Sequence, residues 1–566
     1  MRSIVRLVCA LVLSAGAASV IAQVKGAQPT RGAGPQIEVV FSKSARDEPV
    51  TGMVYVAISR DNRPTPIEQT SPTGVPLFSK FVASLPADSP ITITADDRGH
   101  PVRTLRDIPA GEYWMQPFVN VYTRFPRADG HTVWLHNDQW EGQDWKQSPG
   151  NIFGDPVRVR YDPHSTTPIR LAANKAIAPI QVPSDTAMVK RIKFESAILS
   201  KWWGQPIFLG ATVLLPKGYD THPEVRYPVN YMHDHFSLDP PGNFGGGGSF
   251  DRYWMSDNIP RFIGVTLQHP SPYYDDSYAV DSENNGPYGE AIIKELIPAV
   301  EEKFRVIRQP WARMLSGGST GGWIALAHQV LYPDFYGGSF ALCPDSVDFS
   351  YHQIVNIYND ANAYYIDHGW TSVERPSKRR IDGNIEEMMK DENWYELVVG
   401  DKSRSGGQWD IWEATFSPVA PDGYPMRLWN KETGIIDKSV AVRWKKYDMA
   451  EIIRNNWTVL GPKIANKLHI YVGDMDSYYL NDAVERLNEF LTKADDPKFA
   501  GEVVFRRRAP HCWGPRGAEL WQKLAALATR TSPRMSPRAF TEKQSSMATG
   551  MLRLVRTATP NTKSSA

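Results

Sequence analysis

The stretch that most constrains the fold is Leu315-Ser316-Gly317-Gly318-Ser319-Thr320-Gly321-Gly322-Trp323. It joins a short apolar run, Arg313-Met314-Leu315, to a segment in which Trp323, Ile324, Ala327, Val330 and Leu331 recur at helical spacing until Pro333 stops it. A serine at the tip of so tight a strand-to-helix turn projects clear of the backbone. Only small residues two before and two after it let the chain fold that sharply, and Gly317 and Gly321 hold those places. The helix that follows aims the N–H groups of its first turn at the same point, where an anionic tetrahedral intermediate needs donors. The pattern predicts strand, turn and helix, with Ser319 as a nucleophile. A second small-x-Ser-x-small run, Gly337-Gly338-Ser339-Phe340-Ala341, is followed by apolar residues without helical period, so Ser339 reads as an ordinary strand residue.

A serine nucleophile needs a base, and the base needs an acid to orient it. His511, in Ala509-Pro510-His511-Cys512-Trp513-Gly514, is the histidine placed in a loop between the last strand candidate, Val503 to Phe505, and a final helix. For the acid, Val472-Gly473-Asp474-Met475-Asp476 follows directly on a strand candidate that begins at Leu468. Asp476 has the Gly-x-x-Asp placement, and Asp474 is the alternative, its carboxylate also suited to bonding the turn. The chain order Ser, Asp, His is that of the α/β-hydrolases. The oxyanion hole calls for the backbone N–H of Thr320 and a second donor from the loop after an earlier strand, expected at His235 in Tyr231-Met232-His233-Asp234-His235-Phe236. His233-Asp234-His235 also looks like a fragment of a metal site, but further zinc ligands do not follow nearby, so no metal and no cofactor are expected.

The rest of the chain is read around this constellation. Arg2 and Arg6, an apolar run from Leu7 to Leu13 and small residues ending at Ala22 predict a signal peptide over 1–22, hence a secreted or periplasmic protein. Short β-rich runs between Ile37 and Leu171 predict an N-terminal β-sandwich domain over 24–180, with an Ala-Pro-rich linker from Ala172 to Pro183. From 190 to 531 strands alternate with helices, which implies a parallel sheet and active residues at the carboxyl ends of its strands. The expected class is therefore α/β, an α/β-hydrolase fold preceded by that β-sandwich and carrying a large cap insertion over 344–466. The insertion holds Trp370, Trp394, Trp409, Trp412, Trp429, Trp444 and Trp457. Trp409 and Trp412, just after Gly406-Gly407, are expected to reach over the site and bind substrate. Residues 532–566 read as a disordered tail. Once Cys9 leaves with the signal, Cys343 and Cys512 remain as an even pair in an oxidising compartment and are expected to form a disulfide. A net charge of +1 gives no footprint for nucleic acid, and no apolar stretch of the mature chain is long enough for a membrane span.

Leu214-Leu215-Pro216-Lys217-Gly218-Tyr219-Asp220, Arg226-Tyr227-Pro228-Val229, Glu295-Leu296-Ile297-Pro298, the Ser319 elbow, the Gly473 to Asp476 turn and the His511 loop together resemble the putative esterase family, esterase D-like. The resemblance spans roughly residues 200 to 345 and 465 to 530, leaving the N-terminal domain and the insertion outside. It departs from the family at the oxyanion strand, where His-Gly is usual and this chain has His233-Asp234. The resemblance implies a serine hydrolase of carboxylic esters acting through an acyl-enzyme, on a small-molecule or carbohydrate-linked ester. The alternatives are an acyltransferase or a peptidase using the same triad, and a binding protein on an inactive hydrolase scaffold.

Overall fold

The computed structural model describes residues 34–533, so the signal peptide and almost all of the expected tail lie outside the described residues. The chain from Val189 onward is built on one eight-stranded sheet. Its strands are β1 (Val189–Glu195), β2 (Phe208–Leu214), β3 (Val229–His233), β4 (Ile263–Gln268), β5 (Arg313–Gly318), β6 (Gly338–Leu342), β7 (Leu468–Gly473) and β8 (Glu502–Arg506), in the spatial order β1-β2-β4-β3-β5-β6-β7-β8. β2 is antiparallel to both neighbours, and β3 to β8 are mutually parallel. Both faces are covered, as parallel sheets require. Along β5 successive side chains point to opposite faces. Leu315 enters the core shared with the elbow helix Thr320–Leu331, and Met314 enters a second core with Phe340, Tyr471, Trp521 and Leu524, under the final helix Ala518–Thr531.

The elbow helix is buried from Thr320 to Val330, so its sequence is apolar nearly all round and not only on one stripe. Three histidines belong to this interior. His233 Nδ1 lies 3.1 Å from His269 Nε2, and His328 bonds Ala279 O (2.7 Å) and Tyr336 Oη (3.0 Å).

Before the eight-stranded sheet, Gln36–Phe41, Ile91–Thr94 and Ile169–Ala173 form a three-stranded sheet, and a larger sheet is centred on Val50–Ser59 and the long strand Gly111–Pro126. The two share one apolar core containing Ile37, Val39, Val54, Val56, Ile93 and Leu171. The expected linker begins too early. Ala172 and Ala173 pair in a strand, and Lys175–Ala176 pairs with Ile152–Phe153.

The segment between β6 and β7 carries five helices, among them Met389–Val399 and Gln408–Phe416, and two small hairpins. Its apolar residues, including Trp409, Trp412, Trp429 and Trp444, join the same core as β5 and the elbow helix. A buried ion cluster braces it: Lys431 Nζ lies 2.9 Å from Glu396 and 3.1 Å from Asp410, and Arg427 bonds Asp410 (2.9 Å) and Glu413 (2.8 Å). The N-terminal sheets dock on it. Tyr55 Oη donates to Val399 O (2.5 Å), and Trp394 Nε1 donates to Gly99 O (2.8 Å). Among the described residues no helix is long and apolar enough to cross a membrane.

Burial depresses the pKa of His328 to about 4 and of His269 to about 3. The unfolded chain takes up those protons below about 6.5 while the native state does not, so each histidine withdraws stability as pH falls from there toward its folded value. In His328→Gln the difference in unfolding free energy from the wild type should therefore shrink by about 1.4 kcal/mol per pH unit between pH 6 and 5, read from urea unfolding. A difference independent of pH would contradict a neutral buried His328.

Candidate active site

The elbow is held by contact with β3. Ser319 has φ 54° and ψ −122°, a strained conformation for a non-glycine residue. It persists because the turn is pressed against the end of β3: a Cβ on Gly321 would lie 1.9 Å from His233 O, and one on Gly317 2.4 Å from it. The acid turn and the base loop meet in the same way, since a Cβ on Gly473 would lie 2.2 Å from Ala509 O.

These approaches bring three sequence-distant side chains into line. Ser319 Oγ is 3.1 Å from His511 Nε2, and His511 Nδ1 is 2.8 Å from Asp476 Oδ2. Asp476 is fully buried and its Oδ1 accepts the Tyr478 N–H (2.9 Å). Arg379, from a hairpin of the insertion, donates to Asp476 O (2.9 Å) and Asp474 O (3.3 Å) and so fixes the turn from outside. Asp474 faces elsewhere, its carboxylate accepting the Arg508 N–H at 2.6 Å. A disulfide joins Cys343, at the end of β6, to Cys512, with Cα atoms 4.7 Å apart. Its sulfurs touch both catalytic candidates: Cys343 Sγ accepts the Ser319 N–H (3.2 Å), and Cys512 Sγ is 3.4 Å from His511 Nε2. By the chain-entropy argument a cross-link over 169 residues of separation contributes at most about 5 kcal/mol.

The expected oxyanion donors fare differently. Thr320 N–H lies in the first turn of the helix, where no helical carbonyl is available to it. His235 N–H donates to Asp234 Oδ1 at 2.9 Å, so the acidic residue standing where glycine is usual occupies the second donor. Burial opposes a charge on the His235 ring, but Asp275, 3.0 Å from Nδ1, and the carboxylates of Asp276 and Asp234 outweigh it and hold its pKa at about 10. His235 is thus an imidazolium at neutral pH.

For Trp409 the expected substrate contact needs correction, while Trp412 stands at the cavity wall. They lie on the helix Gln408–Phe416 and not on a mobile loop. Trp409 is 2% exposed, packed edge-on against Trp412 and His352 and tilted against Trp429 in the core of the insertion, and does not line the cavity above Ser319. The reason is burial: a segment this long needs a core, and its largest rings supply it. Trp412 reaches the cavity wall, but its Nε1–H is committed to Tyr278 Oη at 2.5 Å.

The structure adds a group that sequence reasoning missed. Asp345, three residues past β6, is 5% exposed, and its Oδ1 accepts from Ser319 Oγ at 3.2 Å. Its Oδ2 accepts from Thr320 Oγ1 (3.2 Å), Gln408 Nε2 (3.2 Å) and Tyr278 Oη. Burial holds its carboxyl above the ordinary range. The available signal was positional: Asp345 follows the carboxyl end of the strand beside the elbow, where active residues of a parallel sheet gather. A cavity of about 790 Å³ opens over Ser319, walled by Asp234, His235, Asp345, Gln408, Tyr478 and His511 among others.

A sheet with this strand order, bearing a strained serine at the end of β5, is an α/β-hydrolase-type fold. Residues 209–450 match the model of the family described as "Putative esterase". That match runs through much of the insertion and ends before Asp476 and His511. No curated protein matches the chain. Solved structures similar to it include a ferulic acid esterase, at 16% identity over 61% of this chain and 99% of the other, with a TM-score of 0.37. The serine hydrolase FphF of Staphylococcus aureus aligns at 13% identity over 61% and 98%, TM-score 0.34. An S-formylglutathione hydrolase from Agrobacterium tumefaciens aligns at 13% identity over 66% and 99%, TM-score 0.33.

Gly321→Ala tests the elbow contact. Its methyl would meet backbone and not a flexible side chain, so the elbow and the end of β3 must separate. We expect a loss of roughly 1–3 kcal/mol in stability with a fall in kcat, whereas Gly248→Ala, in an open part of the loop after β3, should leave both within about 1 kcal/mol. Equal behaviour of the two variants would refute the packing argument.

Proposed function

We propose that this protein is an exported serine hydrolase of carboxylic esters. The observation that carries the reading is the continuous chain Ser319 Oγ, His511 Nε2, His511 Nδ1, Asp476 Oδ2, with steps of 3.1 and 2.8 Å across the ring. Export is inferred from residues 1–22.

In this reading Ser319 Oγ attacks the ester carbonyl while His511 Nε2 takes its proton. Asp476 accepts from Nδ1–H, which fixes the tautomer and stabilises the imidazolium that forms. The tetrahedral oxyanion is held by Thr320 N–H. A second donor becomes available at His235 N–H when Asp234 releases it, and the His235 imidazolium supplies positive charge on the same loop. His511 then returns its proton to the alkoxide leaving group. Water, deprotonated by His511, attacks the acyl-Ser319 ester and frees the acid.

The N-terminal region is read as a β-sandwich domain and residues 344–466 as a cap over the pocket. Support for the cap is that Gln408 and Trp412 reach the pocket wall while Arg379 braces the acid turn. Because the cap shares its core with the catalytic sheet, it acts as a fixed wall and not as a swinging lid.

The wild type should be labelled at Ser319 by a fluorophosphonate and should hydrolyse short-chain esters. Ser319→Ala should lose both, with kcat down about 10⁴-fold or more, and Asp476→Asn should fall by a similar order through the wrong His511 tautomer. Retained activity in Ser319→Ala would exclude it as nucleophile.

A further inference from the structure

The pocket wall beside Ser319 has acceptors without donors. Asp345 Oδ2 is satisfied by three donors, but Oδ1 has only the Ser319 hydroxyl, which His511 must also receive for attack to begin. Gln353 lines the same cavity at 3% exposure, and its Oε1 has no hydrogen-bond partner. The cationic side chains on the wall are committed elsewhere: His235 to Asp275, and Arg516 to Cys512 O.

A carboxylate in this position opposes the reaction as it stands. Attack places negative charge on the substrate beside Asp345, and like charges at this range repel; the His235 imidazolium offsets only part of that repulsion, being already paired with Asp275. A substrate that brings its own positive charge to Oδ1 removes that barrier. The acyl carbon is bonded to Ser319 Oγ in the transition state, so a group on the next one or two acyl carbons comes within reach of Oδ1. An ammonium offers three donors and a full charge to these acceptors, where a hydroxyl offers one donor and no charge.

We infer that the pocket selects esters whose acyl group carries a protonated amine on the carbon α or β to the carbonyl, with Asp345 as the residue that receives it. The inference rests on Ser319 being the nucleophile. It assigns specificity to the acyl side of the ester, and the amine is bound unchanged through acylation and deacylation.

The test is kcat/KM on ethyl propionate, ethyl lactate, ethyl alaninate and ethyl β-alaninate, each divided by its hydroxide-catalysed rate. At least one amino ester should exceed propionate by roughly a hundredfold or more, with lactate within about tenfold of propionate. In Asp345→Asn that preference should fall below about tenfold. Wild-type enzyme that treats propionate or lactate as well as both amino esters overturns the inference, as does Asp345→Asn that keeps the preference. If Asp345→Asn does not fold, the wild-type series decides alone. A fluorophosphonate separates the two levels of argument. No label on Ser319 sinks the nucleophile assignment, whereas labelled enzyme without an amine preference sinks only the amine pocket.

Discussion

The contact between the elbow and the His233 carbonyl is the constraint on which the rest of the site depends. It forces Ser319 into a strained conformation, aligns the helix N-terminus with the pocket and presses the end of β3 against the elbow. The strain is shared around the site, since Tyr278, Cys343 and Cys512 also have positive φ. Such conformations persist only where surrounding packing over-determines them. Here the disulfide and the burial of the elbow helix supply that packing.

Electrostatics distinguish this pocket from a neutral ester cleft. The loop after β3 pairs an imidazolium, His235, with Asp275, and the opposite wall holds Asp345 on a buried hub formed by Tyr278, Gln408 and Thr320. Gln408 comes from the insertion and Tyr278 from the loop after β4, so the charge next to Ser319 is positioned by two segments apart from those that carry His511 and Asp476.

The N-terminal region is part of the same construction. Phe236, immediately after His235, packs edge-on against Trp140 at 5.2 Å, and a Cβ on Gly142 would lie 2.7 Å from its ring. Gln143 Nε2 donates to Ser271 O at 2.6 Å, tying the same loop to the segment that carries Asp275 and Tyr278. Trp145 fills a core with Tyr55 and Phe118, and Trp140 faces Phe236, so these rings are packing groups.

The sequence alone determined what depends on local pattern. The elbow at Ser319, the strand-helix alternation around it and the strand ends carrying Asp476 and His511 were all legible, because tight turns need small residues and parallel strands need continuous apolar runs. The tertiary structure decided what depends on which surfaces meet. It set which of Asp474 and Asp476 meets the His511 ring, the capture of His235 N–H by Asp234, and the burial of Trp409. It also placed Asp345 against Ser319. No period or spacing announces a carboxylate that reaches a serine 26 residues earlier while a tyrosine and a glutamine from two other segments hold its far oxygen. That arrangement exists only once β5, β6 and the insertion have packed around one core.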